Sequence, residues 1–211
     1  MKIAIIGAGN VGGTLGRRWA ALGHEVVFGV RDPAREKYQG LVTQTSGRAR
    51  LATNRQACEG AGAVLLATPW PTTQAALAEC GDLSGRVVID ATNPLGADLR
   101  LTMGHTDSGG EQVARWANGA HVVKAFNTTG FNNMEDPVIE GRHAVMFIAG
   151  DDGAAKSVVA DLASAIGFEA VDAGPLASSR MLEPMAQLWI HCAYRQGLTR
   201  DYAFALLRRG A

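Results

Sequence analysis

The sequence has few of the residues that build disulfide frameworks or metal sites. Its three cysteines, Cys58, Cys80 and Cys192, are far apart and form no Cys-x-x-Cys pair, which argues against disulfides and against a thiolate zinc site. The five histidines are equally scattered, so their spacing does not indicate a set of metal ligands. We therefore expect a fold that is stabilised by its hydrophobic core and that binds no metal.

Long apolar runs and an excess of one charge are also missing. No apolar stretch approaches the roughly 18 residues that a membrane-spanning helix needs. The sequence starts on a strand-like segment, residues 1–6, without the pattern of a signal peptide. Twenty basic residues balance twenty acidic ones, whereas nucleic-acid and anionic-membrane partners require a basic excess. We expect a cytoplasmic protein with neither kind of partner.

Glycine is abundant, with 26 residues, and apolar runs of strand length alternate with helical patterns. The predicted strands are 2–6, 25–28, 49–53, 63–68, 86–91, 121–126 and 143–149. Several of these runs are continuously apolar, which is typical of parallel strands that helices cover on both faces. Residues 1–150 are therefore predicted to form a Rossmann-type α/β domain, with a doubly wound and mainly parallel sheet.

The pattern changes after residue 150. A helix that Asp151 and Asp152 can cap, a strand at 169–172, a long helix at 178–196 and a short strand at 202–207 are predicted. The long helix has an apolar stripe that suits either the core or a dimer interface. Residues 151–211 are therefore predicted to form a small α/β C-terminal domain that packs against the first.

A Gly-x-Gly-x-x-Gly motif at residues 7–12 follows the first strand and opens a helix. In this context Gly7 makes the tight turn, Gly9 lets a pyrophosphate approach the backbone, and Gly12 lets the helix pack on the strand. The helix N-terminus then binds the anionic pyrophosphate. The motif predicts a dinucleotide site, although such glycines can also serve only the turn.

The end of the second predicted strand bears on the choice of dinucleotide. Sites that select NAD usually place an acidic side chain there, whereas this strand is followed by Arg31 and then Asp32. The guanidinium of Arg31 suits a 2′-phosphate, which favours NADP. Asp32 could instead contact the ribose, or cap a helix that Pro33 begins, and Arg31 could be an ordinary surface charge.

Further pocket walls are expected at the ends of three other strands, because ligands bind at the carboxyl ends of strands in open α/β sheets. The residues predicted there are Thr68, Pro69, Trp70, Asn93, Pro94, Phe126 and Asn127. The two prolines could have only a structural role, since proline ends a strand. Trp70 could equally wall the nicotinamide pocket or pack on the sheet edge.

The sequence resembles the NADP-dependent reductases of the deazaflavin coenzyme F420. The resemblance covers almost the whole chain, at residues 7–12, 23–25, 29–31, 69–70, 93–94, 149–152, 172–176 and 179–180. It implies a Rossmann domain with a small C-terminal domain that adds to the acceptor pocket or to dimer contacts, a homodimer, and hydride transfer between NADP(H) and the deazaflavin. It also implies that Gly7, Gly9, Asn10, Val11 and Gly12 hold the pyrophosphate, and Arg31 the 2′-phosphate.

Two departures from the family concern the phosphate site and the acceptor. Val30 stands where the family usually has serine, which removes one expected phosphate hydrogen bond. Residues 122–128 are more similar to bacterial relatives and to the reductase domain of the STEAP metalloreductases, which passes hydride from NADPH to a flavin. FMN and FAD are therefore alternative acceptors, and the substrate is expected to be a small redox molecule.

Hydride transfer between two rings needs no strong acid or base, only positioning in a dry pocket. No catalytic residue is therefore assigned. A cation near the reduced ring would help, and Lys124, Arg180 and His191 are the weak candidates. Two alternative functions stay open: an NADPH-dependent reductase of a small carbonyl or imine, with Lys124 as its basic group, and a non-catalytic module that senses NADP(H).

Overall fold

A computed structural model of the chain describes residues 1–45 and 47–209. Within these residues the strands are β1 (Lys2–Ile6), β2 (Glu25–Gly29), β3 (Ala49–Ala52), β4 (Ala63–Leu66), β5 (Val87–Asp90), β6 (His121–Lys124), β7 (Val138–Ile139), β8 (Arg142–His143), β9 (Val145–Gly150) and β10 (Glu169–Asp172). The α-helices are α1 (Asn10–Ala21), α2 (Gln39–Thr43), α3 (Asn54–Cys58), α4 (Trp70–Ala78), α5 (Gly109–Trp116), α6 (Phe131–Glu135), α7 (Gly153–Ala165) and α8 (Ser179–Arg195).

The main sheet has the strand order β10-β9-β6-β5-β4-β1-β2-β3. Its neighbours pair in parallel, except that β9 runs antiparallel to β6. The run from β6 to β3 has the strand order of the Rossmann fold, in which the direction of winding reverses between β1 and β4. The predicted doubly wound, mainly parallel sheet is confirmed, and its reversal point determines where a ligand can bind.

Both faces of the sheet are buried under helices. On β1, Ile3 and Ile5 pack into the same cluster as Trp19 of α1, whereas Ala4 and Ile6 belong to a second cluster on the opposite face. The Trp19 indole Nε1 donates a hydrogen bond of 3.2 Å to the Leu162 carbonyl of α7. The helix after residue 150 therefore shares the core of the first half of the chain.

Residues beyond 150 extend the main sheet as well. β10 pairs in parallel with β9, in register from Glu169 opposite Val145. Asp152 caps α7, because its carboxylate accepts the Ala155 N–H at 2.7 Å. The division into a domain of residues 1–150 and one of residues 151–211 stays a prediction.

The predicted strand at 202–207 is wrong for the residues that the structure describes. This segment forms a single backbone bond to the sheet, from the Val145 N–H to the Phe204 carbonyl at 2.8 Å. Tyr202 stacks on Trp189 of α8 with ring centroids 5.5 Å apart, and its carbonyl accepts a bond from the Trp189 Nε1. Side-chain packing on α8 holds the segment, so its apolar residues need no strand partner.

The predicted strand at 143–149 is also interrupted, since β8 ends at His143 and β9 begins at Val145.

Among the described helices, none combines the length and the apolar character that crossing a membrane would require.

Candidate functional site

The glycine loop between β1 and α1 lies at the point where the sheet reverses direction. Gly7 has a φ of +106°, and a Cβ on it would lie 2.5 Å from the Ala67 carbonyl oxygen at the end of β4. A Cβ on Gly12 would lie 2.0 Å from the Gly7 carbonyl oxygen. Only glycine fits at these two positions, because the loop, the helix and the neighbouring strand end are in direct backbone contact.

The N-terminus of α1 opens into free space. Gly9 is its N-cap and provides no capping side chain, and a Cβ there would meet nothing within 4 Å. Uncapped N–H groups and the positive end of the helix dipole favour an anion at this position. The residues present therefore fit the pyrophosphate of a dinucleotide.

A cleft of about 760 Å³ extends from this loop across the ends of β1, β4 and β5. Its size is within the usual range for small-molecule and cofactor sites. The lining residues are Gly7, Ala8, Gly9, Asn10, Val11, Lys37, Tyr38, Ala67, Thr68, Pro69, Trp70, Pro71, Ala91, Thr92, Asn93, Leu95, Gly96, Ala97 and Leu99. Most of the predicted cofactor residues are thus brought together along one cleft.

Trp70 and Asn93 are held in place by neighbours outside the cleft. The Trp70 ring lies 5.2 Å from the Trp116 ring, centroid to centroid. The Asn93 side chain donates to the Asn127 carbonyl at 2.9 Å and accepts from the Asn127 side chain at 3.1 Å. Asn127 is buried and does not line the cleft, so the structure does not bring this predicted cofactor residue to the cleft wall; it contacts Asn93 instead.

The structure corrects the expectation that Phe126 forms a pocket wall. Phe126 is only 1% exposed and packs edge-on against Trp19 and Phe168, with centroids 5.8 and 6.2 Å away. The strand β6 ends two residues earlier, and the chain then turns Phe126 into the core with a φ of +60°. Pro94 is also buried, and its carbonyl accepts the Thr102 N–H at 2.8 Å.

The segment after β2 carries three cations, Arg31, Arg35 and Lys37. Arg31 is exposed at the strand end and does not line the cleft, whereas Lys37 does, with its Nζ 4.7 Å from the centre of the Tyr38 ring. Asp32 is engaged locally, because its carboxylate accepts the Ala34 N–H at 3.1 Å. It caps a turn, and the helix expected to begin at Pro33 does not form.

Lys124 lies in a buried ion cluster with Asp90 and Glu183. Its Nζ is 2.7 Å from Asp90 Oδ2 and 2.8 Å from Glu183 Oε1, and it donates to the Thr92 carbonyl at 2.9 Å. Burial alone would lower the pKa of Lys124, but the two carboxylates outweigh it and raise the pKa. Lys124 therefore stays charged, and it has no exposed surface with which to reach a substrate.

The cluster joins the cleft to α8. Asp90 Oδ1 accepts from both the N–H and the hydroxyl of Thr92, which lines the cleft. Glu183 of α8 accepts the N–H groups of Gly109 and Gly110, each at 2.9 Å, at the start of α5. The cluster contains two carboxylates and one amine, and the N-terminus of α5 compensates the remaining negative charge. The same bonds connect Thr92, and with it the cleft wall, to α5 and α8.

Comparison with known proteins agrees with this geometry. The family model described as "NADP oxidoreductase coenzyme F420-dependent" matches residues 2–94. The F420-dependent NADP reductase of Methanothermobacter thermautotrophicus is 32% identical over 210 residues, with 92% of this chain and 90% of that protein covered. The chain belongs to this family. It is accordingly an NADP-dependent oxidoreductase.

Other members and relatives agree with this assignment. A crystal structure from Arthrobacter sp. FB24, provisionally described as an F420-dependent NADP-reductase, has a TM-score of 0.90 and 35% identity, with 99% of this chain and all of that chain covered. Metalloreductase STEAP3 of Rattus norvegicus is 30% identical over 86% of this chain, which corresponds to 36% of that larger protein.

The other two candidate cations of this oxidoreductase lie outside the cleft lining. Arg180 forms a two-bond ion pair with Glu111, at 2.6 and 2.9 Å. His191 lies on α8 and lines a second cavity. The structure therefore brings none of the three predicted cations to the described lining of the cleft.

Several functional residues were not found from the sequence. Lys37, Tyr38, residues 95–97 and Leu99 line the cleft from segments that carry no motif. Asp90 and Glu183 lie 34 and 59 residues from Lys124 in the chain. The one signal for them is a charged residue at the end of an apolar strand or on the apolar face of a helix.

Proposed function

We propose that this oxidoreductase transfers hydride between NADP(H) and coenzyme F420, with a flavin as the alternative acceptor. The proposal rests on the chemistry of the cleft wall. The wall formed after β4 and β5 consists of residues 67–71, 91–93, 95–97 and 99, and these described lining residues carry no titratable side chain. The titratable residues of the lining, Lys37 and Tyr38, follow β2 at the opposite end of the cleft.

An uncharged wall supports a reaction that depends on positioning. Bound NADPH would supply the hydride, and a planar acceptor ring would receive it. The residues of the cleft wall would hold the two rings face to face and exclude water. Trp70 and Pro69 provide flat apolar surface, and Asn93 provides a fixed polar edge through its two bonds with Asn127.

Reduction of a carbonyl or imine is less well supported. That reaction was expected to use Lys124 as a basic group that faces the nicotinamide. Lys124 is instead fully buried and engaged with Asp90, Glu183 and the Thr92 carbonyl. A charged amine in such a cluster neither meets a substrate nor exchanges its proton readily.

The test is a steady-state assay of NADPH oxidation with purified coenzyme F420, FMN and FAD as separate acceptors. We expect turnover with F420 at the highest kcat/KM. Absence of turnover with all three acceptors would overturn the proposed acceptor class. A panel of ketones and cyclic imines in the same assay measures the alternative directly.

We propose further that the chain acts as a homodimer in the cytoplasm. Met181 and Leu188 lie on one face of α8 and are 65% and 53% exposed, which supports the use of this face between two copies. Light scattering after size-exclusion chromatography should give twice the chain mass, and Leu188→Glu should give the single-chain mass. Cell fractionation tests the location.

A further inference from the structure

A cavity of about 330 Å³, the thiol cavity, lies at the amino edge of the main sheet, opposite the cofactor cleft. Its walls are the C-terminal end of α3, the turn after α4 and Arg86, which directly precedes β5. Its lining residues are Arg55, Cys58, Glu59, Cys80, Gly81, Asp82 and Arg86. The described lining of the cleft shares none of these residues, so the thiol cavity is a separate site.

The fold brings together two cysteines that are distant in the sequence. Cys58 is the last residue of α3, and Cys80 lies two residues beyond the end of α4. Both thiols are free, and their side chains are hydrogen-bonded to each other. The Cys80 thiol also lies 3.2 Å from the Ala76 carbonyl, to which it can donate. Hydrogen-bonded thiols are within reach of a disulfide, in which the sulfur atoms are about 2 Å apart.

The surroundings distinguish the two thiols. The hydrogen bond from Cys80, together with the positive charges of Arg86 and Lys2, outweighs burial and lowers the pKa of Cys58. The same hydrogen bond, burial and the negative charge of Glu79 raise the pKa of Cys80. Cys58 is therefore the thiol that ionises, and Cys80 keeps its proton.

The thiol cavity gives a small polar molecule access to both sulfur atoms. Cys58 and Cys80 are each only 3% exposed and belong to the apolar cluster on this face of the sheet. Cysteines sealed in such a cluster are inert, whereas both of these line a cavity whose other lining residues are mostly exposed. The guanidinium groups of Arg55 and Arg86 line it as well. Positive charge beside an accessible thiolate is typical of cysteines that peroxides oxidise.

We propose that Cys58 and Cys80 are a site of oxidation by hydrogen peroxide, which converts them into a disulfide within one chain. The Cys58 thiolate attacks one peroxide oxygen and the O–O bond breaks, which leaves a sulfenic acid on Cys58. The other oxygen leaves as hydroxide and takes up the proton that Cys58 released. The Cys80 sulfur then attacks the Cys58 sulfur, the S–O bond breaks, and the hydroxyl group leaves with the Cys80 proton as water. The two sulfur atoms together lose two electrons, and one peroxide becomes two water molecules.

The ends of the two helices are already in contact. The Asn54 side chain, at the start of α3, donates to Glu79 Oε2, just after α4, at 2.7 Å. A disulfide between Cys58 and Cys80 therefore joins segments that already touch, and reduction by a small thiol restores the starting state. Because the pair lies away from the cleft, its oxidation is measured without any hydride acceptor.

The experiment treats the reduced, full-length protein with hydrogen peroxide and maps its cysteines by alkylation and mass spectrometry. We expect a disulfide between Cys58 and Cys80 that dithiothreitol reduces, while Cys192 stays a thiol. The thiols of Cys58 and Cys80 should disappear at one common rate, about tenfold or more above that of Cys192. Cys192→Ser is the matched control and should leave formation of the disulfide unchanged.

Two further variants separate the roles of the two thiols. In Cys80→Ser, the sulfenic acid on Cys58 has no thiol partner, and dimedone should trap it. In Cys58→Ser, dimedone should leave Cys80 unlabelled, because Cys80 keeps its proton. Thermal unfolding shows whether each variant folds, and the mapping of the wild type tests the proposal by itself where one does not.

Each other result overturns the proposal. Oxidation of Cys192 ahead of the pair would show that the thiol cavity does not direct the reaction. A disulfide between two chains, or a sulfinic acid on Cys58 beside an intact Cys80 thiol, would show that the two sulfur atoms cannot meet within one chain. Dimedone labelling of Cys80 in Cys58→Ser, without labelling of Cys58 in Cys80→Ser, would contradict the assignment of Cys58 as the attacking thiol.

Discussion

The glycine loop of residues 7–12 and the ion cluster of Asp90, Lys124 and Glu183 both shape the cleft, yet they differ in chemistry. The loop lines the cleft directly with uncharged backbone, and its residues are adjacent in sequence. The cluster is fully buried, consists of three charged side chains from distant parts of the chain, and acts through Thr92. The loop leaves no room for a Cβ at Gly7 or Gly12, whereas the cluster tolerates no missing charge.

Removing the central charge of the cluster is expected to have the largest effect. Lys124→Met leaves two buried carboxylates without their cation, which should lower the free energy of unfolding by about 3–5 kcal/mol. Urea unfolding measures this loss.

The matched control is Lys156→Met, since Lys156 also lies 2.7 Å from an aspartate, Asp172, whose side chain is 61% exposed. That exposed pair should contribute less than about 1 kcal/mol. Equal losses for the two variants would show that burial does not strengthen the cluster.

The same cluster predicts a dependence on alkaline pH. The pKa of Lys124 is raised above its ordinary value of 10.5, so the folded state holds this proton more tightly than the unfolded state. The stabilisation is fully present below about pH 10.5 and is lost as the pH rises through the folded-state pKa. The difference in unfolding free energy between the wild type and Lys124→Met should therefore narrow above that pH. A constant difference up to pH 11.5 would contradict the assignment.

Adding one carbon to the loop should have the next largest effect. Gly12→Ala places a Cβ 2.0 Å from the Gly7 carbonyl oxygen, so α1 must move away from the loop. We expect a loss of about 1–3 kcal/mol in stability and a loss of about 100-fold in NADPH affinity. Thermal unfolding and calorimetric titration measure the two.

Gly9→Ala is the matched variant, because its Cβ meets nothing within 4 Å. It should cost at most about 1 kcal/mol in stability, the usual penalty of alanine at a helix N-cap. It should nevertheless weaken NADPH, since the methyl group enters the space in front of the N-terminus of α1. If Gly9→Ala bound NADPH as the wild type does, the pyrophosphate could not lie at this position.

The contrast between loop and cluster explains what the sequence could predict. The spacing of Gly7, Gly9 and Gly12 encodes backbone conformation within one turn, so the motif and the parallel strands around it are readable without a structure. Glu183 is an acid on the buried face of the amphipathic helix α8, and nothing local in the sequence indicates that it meets Lys124. Phe126 was predicted in the cleft because it lies at the end of the predicted strand 121–126, but a positive φ turns it into the core. Contacts between distant segments, and turns after strand ends, depend on tertiary packing.

A smaller effect is expected in the loop after β2, where we propose that Arg31 binds the 2′-phosphate. If Arg31 binds the 2′-phosphate as proposed, Arg31→Ala should weaken NADPH relative to NADH by about tenfold, the cost of one charged hydrogen bond. Lys37→Ala is a second test, since Lys37 lines the cleft whereas Arg31 does not. Arg35→Ala is the control from the same loop; its Nε lies 3.9 Å from Asp32. Titrations with both nucleotides measure the ratio. Equal losses of NADPH and NADH in Arg31→Ala, with a selective loss in Lys37→Ala, would assign the 2′-phosphate to Lys37 instead.

The smallest effect is expected at Arg180. A substitution there distinguishes a cation that contacts the reacting ring from one that only connects two helices. Arg180 and Glu111 connect α8 to α5 beside the Glu183 cluster, and the Arg180 guanidinium lowers the pKa of the Glu111 carboxyl. Because both bonds of Arg180 go to Glu111, Arg180→Gln should reduce kcat for the proposed acceptor by less than about threefold, with KM unchanged. A cation beside the reduced ring would stabilise charge in the transition state, and its loss would lower kcat by about 100-fold or more. A large fall in kcat without a change in thermal stability would therefore show that α8 moves on binding and brings Arg180 to the ring.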